Sequence, residues 1–245
     1  MKRIRIKQIH TNPSEFCGKQ IKVCGWAKSI RDMKKFAFLT LNDGSCFDDL
    51  QVVVDQSNVS NYDDITHAGT GAAFSVEGEL KLTPDAPQPF EVAAANVVIE
   101  GTSAPDYPLQ KKRTTPEFLR TVQHLRPRTN LFRAVFRIRS CAAYAIHKFF
   151  QDRGFAYVNT PIITASDCEG AGEMFTVTTL NLEDVPKTDD GKVDFSQDFF
   201  GKHASLTVSG QLNGENFAQA FGDIYTFGPT FRAEDSNTPR HAAEF

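Results

Sequence analysis

The 245-residue chain has no apolar run approaching the roughly 20 residues that a membrane-spanning helix needs. Its first residues, MKRIRIKQIH, lack the apolar stretch of a secretory signal. Five cysteines (Cys17, Cys24, Cys46, Cys141 and Cys168) form no CxxC pair, and their odd number does not suit a disulfide framework. The six histidines are scattered and no HExxH occurs. This argues against a structural or metalloprotease-type zinc site. The phosphate-loop pattern GxxxxGK[ST] is missing, as are long repeats and low-complexity tracts. These absences argue against a membrane-spanning helix, a disulfide framework and a structural zinc site. They leave a globular protein, 40% hydrophobic and 23% charged, whose 21 phenylalanines point to an aromatic-rich core. A cytoplasmic location is expected; a removed organelle presequence would leave no trace here.

A net charge of −3 hides an uneven distribution. Residues 1–35 hold ten Lys or Arg against two acids, a net of +8. Residues 36–100 hold one Lys against eleven acids, a net of −10. Residues 109–139 hold nine Lys or Arg against one acid, a net of +8. Two basic segments flanking an acidic one suit a polyanionic partner, and they also suit an ordinary solvated surface.

Over residues 1–102 short β-patterned runs alternate with Gly and Asp turns. MKRIRIKQIH alternates charge with isoleucine and reads as a strand. KQIKVCGWAKSI, KFAFLTLND, DDLQVVVD, AAFSVEGELKLT and PFEVAAANVVIEG read as five more, and QSNVSNYDDITHAG between the third and fourth of these holds a short helix. Five strands with a helix between the third and fourth is the order of an OB-fold. Residues 103–128, with four prolines and many basic residues, read as a hinge. RTNLFRAVFRIRSCAAYAIHKFFQDRGF places Leu131, Val135, Ile138, Ala142, Ala145 and Phe149 at helical spacing. Thr129 or Asn130 caps its start and Gly154 its end, which predicts a helix of roughly 22 residues. Strand signals follow in FAYVNTPII, FTVTTL, ASLTVSG and DIYTFGPTFRAE, with an acidic insertion after FTVTTL. The fold class is therefore α+β: a five-stranded OB barrel over 1–102, a hinge over 103–128, and an α+β domain over 129–245 whose sheet is expected to be antiparallel.

Four constellations carry candidate chemistry. In FRAEDSNTPRHAAEF, Arg232 and Glu234 share one face of a strand, DSNTP turns the chain, and Arg240, His241 and Glu244 follow. Arginine can fork onto phosphate or carboxylate oxygens, so this face suits a nucleotide beside an amino acid. A salt-bridged surface hairpin has the same residue types. In SDCEGAGEMF, Glu169 and Glu173 flank two glycines and suit an ammonium group, or an ordinary turn. In TVSGQLNGE, Ser209, Gln211 and Asn213 follow a strand and suit a small polar ligand, or a loop. In the barrel, Arg31, Phe36, Phe38 and Gln51 lie in or beside two strands, where an exposed phenylalanine can stack a base. At least one of the two phenylalanines is expected in the barrel core.

These segments together resemble the class II aminoacyl-tRNA synthetases, specifically the asparaginyl members of the aspartyl/asparaginyl/lysyl subgroup. GFAYVNTPII resembles motif 1, TFRAEDSNTPRHAAEF resembles motif 2, and TASDCEGAGEMF and LTVSGQLNGE resemble the amino-acid-binding segments. CGWAKSIRDMKKFAFLTLNDGS resembles the anticodon-binding OB-fold. The resemblance covers essentially the whole chain. It implies ATP as substrate with magnesium, and L-asparagine and tRNA(Asn) as partners. It also implies a homodimer through motif 1 and no membrane. Arg232 would contact the ATP α-phosphate and the substrate carboxylate, and Glu234 the asparagine amide or the adenylate. Arg240 and His241 would lie over ATP, Glu169 would take the α-ammonium, and Ser209 and Gln211 would shape the amino-acid pocket. Arg31, Phe38 and Gln51 would engage the anticodon. Adenylate formation needs no covalent enzyme nucleophile, in keeping with the lack of a Ser/His/Asp or Cys/His arrangement. No third motif of the class follows Phe245, which implies an N-terminal portion that binds tRNA weakly and forms no adenylate alone. The alternatives are an aspartyl-tRNA synthetase and a non-catalytic OB-fold tRNA-binding paralogue.

Overall fold

The computed structural model describes residues 1–110, 112–166, 173–233 and 242–245. They divide into two compact units, Met1–Arg139 and Ser140–Phe245.

Unit 1 begins with helix α1 (Ile6–Thr11) and the short α2 (Pro13–Phe16), not with a strand. The isoleucines decide this locally. Ile6 and Ile9, three apart, are both fully buried, and the side chain of Gln8 accepts from the Arg5 amide at 2.9 Å to close the first turn. Only Arg3, in a single bridge to Lys22, behaves as the expected strand.

Five strands then close a barrel in the order β1-β2-β3-β5-β4. They are β1 (Gln20–Asp32), β2 (Phe36–Asn42), β3 (Leu50–Asp55), β4 (Ala73–Leu82) and β5 (Phe90–Gly101), with α3 (Tyr62–His67) between β3 and β4. All neighbours are antiparallel except β3 and β5, whose parallel pairing (Val52↔Val92) closes the cylinder. Closure requires close backbone approach at two points. A Cβ on Gly78 would sit 2.2 Å from the Ala93 carbonyl oxygen, where β4 is bulged, and one on Gly25 would sit 2.9 Å from that of Asn42. Alternate residues fill the interior: Ala37, Leu39 and Leu41 of β2, Leu50, Val52 and Val54 of β3, each 0% exposed.

Phe36 and Phe38 belong to the other set. Both lie half-buried on the outer face, so neither is in the barrel core. Asp43, just after β2, ties the N-terminal helix to the barrel by accepting from the Ile6 amide at 3.0 Å. Burial would raise its carboxyl, but bonds from Ser45 and the Ile6 amide outweigh this and hold it below its usual value.

Within 103–128, α4 (Pro116–Thr121) is capped by Thr115, and its Leu119 is buried. Helix α5 (Asn130–Gln151) has the expected 22 residues and spans the boundary between the units.

In unit 2, Gly154 (φ +83) ends α5 as expected. Strands β6 (Ala156–Val158) and β10 (Ile224–Thr226) form a parallel pair. Strands β7 (Ile163–Thr164), β8 (Thr176–Val177) and β9 (Ala204–Leu206) form an antiparallel sheet in the order β7-β9-β8. The expectation of an antiparallel sheet thus holds for three strands and not for β6 and β10. A parallel pair needs a crossover, and the chain between them includes α6 (Gln211–Phe221), which packs on both. Aromatic rings seal the end of α5 onto this pair. Phe150 stacks on Tyr225 with centroids 4.7 Å apart, and His147 Nδ1 lies 2.7 Å from the Tyr225 hydroxyl.

The alternation in β2 makes a direct prediction. Leu39→Ala should destabilise unit 1 by about 2–5 kcal/mol, whereas Thr40→Ala should stay within about 0.5 kcal/mol. Urea unfolding followed through Trp26 fluorescence compares them; equal losses would refute the assigned faces.

Candidate functional site

Two groups of residues are brought together, one in each unit. On the barrel, the β1–β2 register places Arg31 opposite Phe38, and the β2–β3 register places Thr40 opposite Gln51. The Arg31 guanidinium lies 4.9 Å from the Phe38 ring centroid, and Phe36 packs edge-on against Phe38 at 5.2 Å. Gln51 donates its side-chain amide to Glu91 of β5 at 2.9 Å, and Gln88 donates to the same carboxylate oxygen at 3.3 Å. Glu91 was not singled out from the sequence, since only barrel closure brings β3 and β5 together. With its NH₂ group engaged by Glu91, Gln51 keeps its amide oxygen as the acceptor for a ligand. The three predicted residues therefore share one outer face: a cation over a ring, with an oriented amide on the neighbouring strand.

The turn that carries Arg31 is pinned from below. Asp32 accepts from the Tyr62 hydroxyl of α3 at 2.7 Å and from the Lys34 amide at 2.7 Å. Lys34 adopts φ +74, the left-handed conformation this tight turn imposes. The Tyr62 bond and the Lys34 amide hold the Asp32 carboxyl below its usual value. Burial and the Asp32 carboxylate push the Tyr62 phenol up to about 12.

In unit 2, backbone bonds draw three segments into one place. Phe231 N donates to the Thr207 carbonyl at 2.9 Å, and Ala233 N donates to the Glu173 carbonyl at 2.8 Å. Leu206 N donates to the Phe175 carbonyl at 2.9 Å. The segment ending at Ala233 thus lies against the strand leading to Ser209 and against the end of the glycine-flanked segment. Phe231 also bridges Glu244, and Arg232 N donates to the Ala243 carbonyl at 3.0 Å, so the chain returns as the expected hairpin partner. Arg232 is half-buried, with Nε 3.5 Å from the Val208 carbonyl and its guanidinium 5.5 Å from the Phe245 ring. Glu169, Glu234, Arg240 and His241, also named from the sequence, lie outside the described residues.

Ser209 and Gln211 have different roles from those of loop residues. The Ser209 hydroxyl accepts from Gln211 N at 3.1 Å and so starts α6, and the Gln211 side chain bonds Glu215 one turn on, at 2.9 Å. The helix after this serine was unforeseen, because SGQLNGE carries two glycines and little apolar spacing. Gly210 between them is sterically required: a Cβ there would meet Thr160 Oγ1 at 2.8 Å.

Among the described residues, no group of three or more His, Cys, Asp or Glu gathers as a metal site, and no helix is long and apolar enough to cross a membrane.

Two family models match the chain. Class II tRNA synthetases (D, K and N) match residues 115–245, and the OB-fold nucleic acid binding domain matches residues 21–99. An asparagine–tRNA ligase of Clostridium tetani is 61% identical over all 245 residues, which cover 53% of its length. One from Acetivibrio thermocellus is 58% identical over the same span and the same share. The chain spans about half the length of the curated relatives it matches. Among solved structures, the asparaginyl-tRNA synthetase of Pyrococcus horikoshii complexed with asparaginyl-adenylate aligns with a TM-score of 0.82 at 24% identity. The alignment covers all of this chain and 51% of that one. A putative aspartyl-tRNA synthetase of Leishmania major aligns at 0.76 and 20%, covering all of this chain and 45% of that one. These two likenesses concern the fold.

The Asp32–Tyr62 anchor has a pH signature. A depressed carboxyl contributes stability above its unfolded value of 3.8 and loses it as pH falls through the lower folded value. A raised phenol contributes below its ordinary 10.0 and loses it as pH rises toward about 12. Tyr62→Phe should therefore lower the thermal midpoint by a constant amount from pH 5 to pH 9. The gap should narrow below pH 3.8 and above pH 10. A gap that does not depend on pH would remove the anchor.

Proposed function

We propose, of a chain that belongs to the class II tRNA synthetases of the D, K and N group, that it is part of an asparagine–tRNA ligase. The ligase activates L-asparagine with ATP and transfers it to tRNA(Asn). Identity of 61% along the whole chain to a named asparagine–tRNA ligase supports the substrate. The single observation that supports the site is the pair of backbone bonds setting Phe231 and Ala233 against Thr207 and Glu173. They set the segment bearing Arg232 against the strand leading to Ser209 and against Glu173.

In this reading residues 1–102 are the anticodon-binding domain, 103–128 the hinge, and 129–245 the first part of the catalytic domain. The asparagine carboxylate attacks the α-phosphorus of ATP, the bond to the β-phosphate oxygen breaks, and pyrophosphate leaves. Negative charge grows on the α-phosphoryl oxygens, and the Arg232 guanidinium offsets it while also orienting the carboxylate. Glu234 and Glu169 hold the amino acid by its amide and ammonium groups, Ser209 and Gln211 border the pocket, and Arg240 and His241 hold ATP. The terminal hydroxyl of the tRNA then attacks the activated carbonyl, and AMP departs. Magnesium bound with ATP would neutralise phosphate charge. Arg31, Phe38 and Gln51 engage the anticodon. The full-length protein is a homodimer through the motif 1 segment, located in the cytoplasm.

Asparagine-dependent ATP–pyrophosphate exchange, measured on the full-length protein, tests this reading. Arg232→Ala should reduce kcat/KM by about 10²–10³-fold. Exchange driven by aspartate would instead assign the aspartyl activity, and no exchange with either amino acid would assign a non-catalytic tRNA-binding role. Phe38→Ala should weaken tRNA(Asn) binding by about tenfold to a hundredfold, the equivalent of one lost base stack. An unchanged affinity in a filter-binding titration would remove Phe38 from the anticodon site.

A further inference from the structure

A cavity of about 610 Å³ opens between the barrel and the segment that follows it, and every residue lining it belongs to unit 1. It lies at the other end of the β1–β2 ladder from Arg31 and Phe38, where Trp26 pairs with Asn42. Trp26, Lys28, Tyr107, Arg128, Asn130 and Arg133 contribute to its walls. Their polar groups are unevenly matched. Lys28 Nζ donates to Asn130 Oδ1 at 3.2 Å, and Arg133 Nη2 donates to the same oxygen at 3.1 Å. Two cations thus share one neutral acceptor, Arg133 Nη1 also donates to the Cys46 carbonyl at 3.5 Å with its guanidinium 5.2 Å from the Phe47 ring, and among the described residues neither cation makes a salt bridge. Arg133 Nε is buried with no hydrogen-bond partner. Arg128 adds a third cation, its guanidinium 5.9 Å from the Trp26 ring and 6.0 Å from that of Tyr107, donating to the Tyr107 hydroxyl at 3.1 Å. Burial first, and the neighbouring Arg133 second, lower the Lys28 pKa; the charge of Asp49 opposes them without prevailing.

Half-buried like charges that meet neutral acceptors are stabilised when an anion joins them. A phosphate offers several oxygens to such donors at once. Trp26, 48% exposed at the rim, offers a ring face on which a base can stack. We propose that this cavity binds a nucleotide, its phosphate held by Lys28 and Arg133 and its base against Trp26. The site is separate from both groups of residues given roles above, and it stands whether or not the asparagine–tRNA ligase reading does. The nucleotide can be free or can be one residue of an RNA strand, because the phosphate and base chemistry is the same.

Trp26 is the chain's one tryptophan, so its fluorescence reports this cavity directly. The 245-residue chain is titrated with AMP, with inorganic phosphate as competitor, and separately with a single-stranded RNA oligonucleotide. Saturable quenching by AMP that phosphate reverses, weakened at least about tenfold in Lys28→Gln and Arg133→Gln, identifies a free nucleotide. Quenching by the oligonucleotide alone, with the same loss in both variants, identifies a strand. The Lys28→Gln side chain retains an amide that can donate to Asn130, so this variant keeps the test open if Arg133→Gln does not fold. No quenching by either probe, or quenching that both folded variants retain, overturns the site.

Discussion

The site in unit 2 depends on two backbone hydrogen bonds, Phe231 to Thr207 at 2.9 Å and Ala233 to Glu173 at 2.8 Å. They fix a segment of otherwise irregular chain between two others, so the backbone that carries Arg232 is placed by main-chain geometry. Main-chain bonds survive most substitutions, which makes them suitable supports for a ligand site. The same economy appears at Gly210. Its lack of a Cβ lets the turn into α6 approach Thr160 and Thr226, and this sets Ser209 at the helix start.

The barrel solves a different problem. A closed sheet has no free edge, so one face is committed to the core and the other is available along its whole length. On β2 this division is strict: Ala37, Leu39 and Leu41 inward, Phe36, Phe38 and Thr40 outward. Two outward phenylalanines in van der Waals contact would be an odd use of apolar surface in an isolated protein. Beside Arg31 and an amide oriented by Glu91 they form a platform on which a base can stack. The α3 helix contributes at a distance, through Tyr62 and the turn at Asp32.

How far the sequence could be read follows from how local each signal is. Helix α5 was legible in place and length, because Thr129 or Asn130 and Gly154 are end signals close to its own ends. The barrel strands were legible because alternation repeats over many residues. The first helix was not: in IRIKQI the isoleucines at 4 and 6 fit a strand, those at 6 and 9 fit a helix, and burial beneath Asp43 settles the choice. The parallel pair of β6 and β10 was illegible because its partners, such as Ala156 and Ile224, lie far apart along the chain. Glu91 and Tyr62 were missed for the same reason; each acts on a residue of a distant strand. Of the residues named for the catalytic site, Arg232, Ser209 and Gln211 could be placed, and Gln211 proves to open a helix that Ser209 precedes.

The central claim is that Arg232 meets the reacting phosphate of an aminoacyl-adenylate. A crystal structure of the full-length protein with a non-hydrolysable asparaginyl-adenylate analogue tests it most directly. The account predicts the Arg232 guanidinium within hydrogen-bond distance of the phosphate-mimicking group, between the segments ending at Ser209 and Glu173. An analogue bound elsewhere, or bound there with Arg232 turned away from it, would contradict the account.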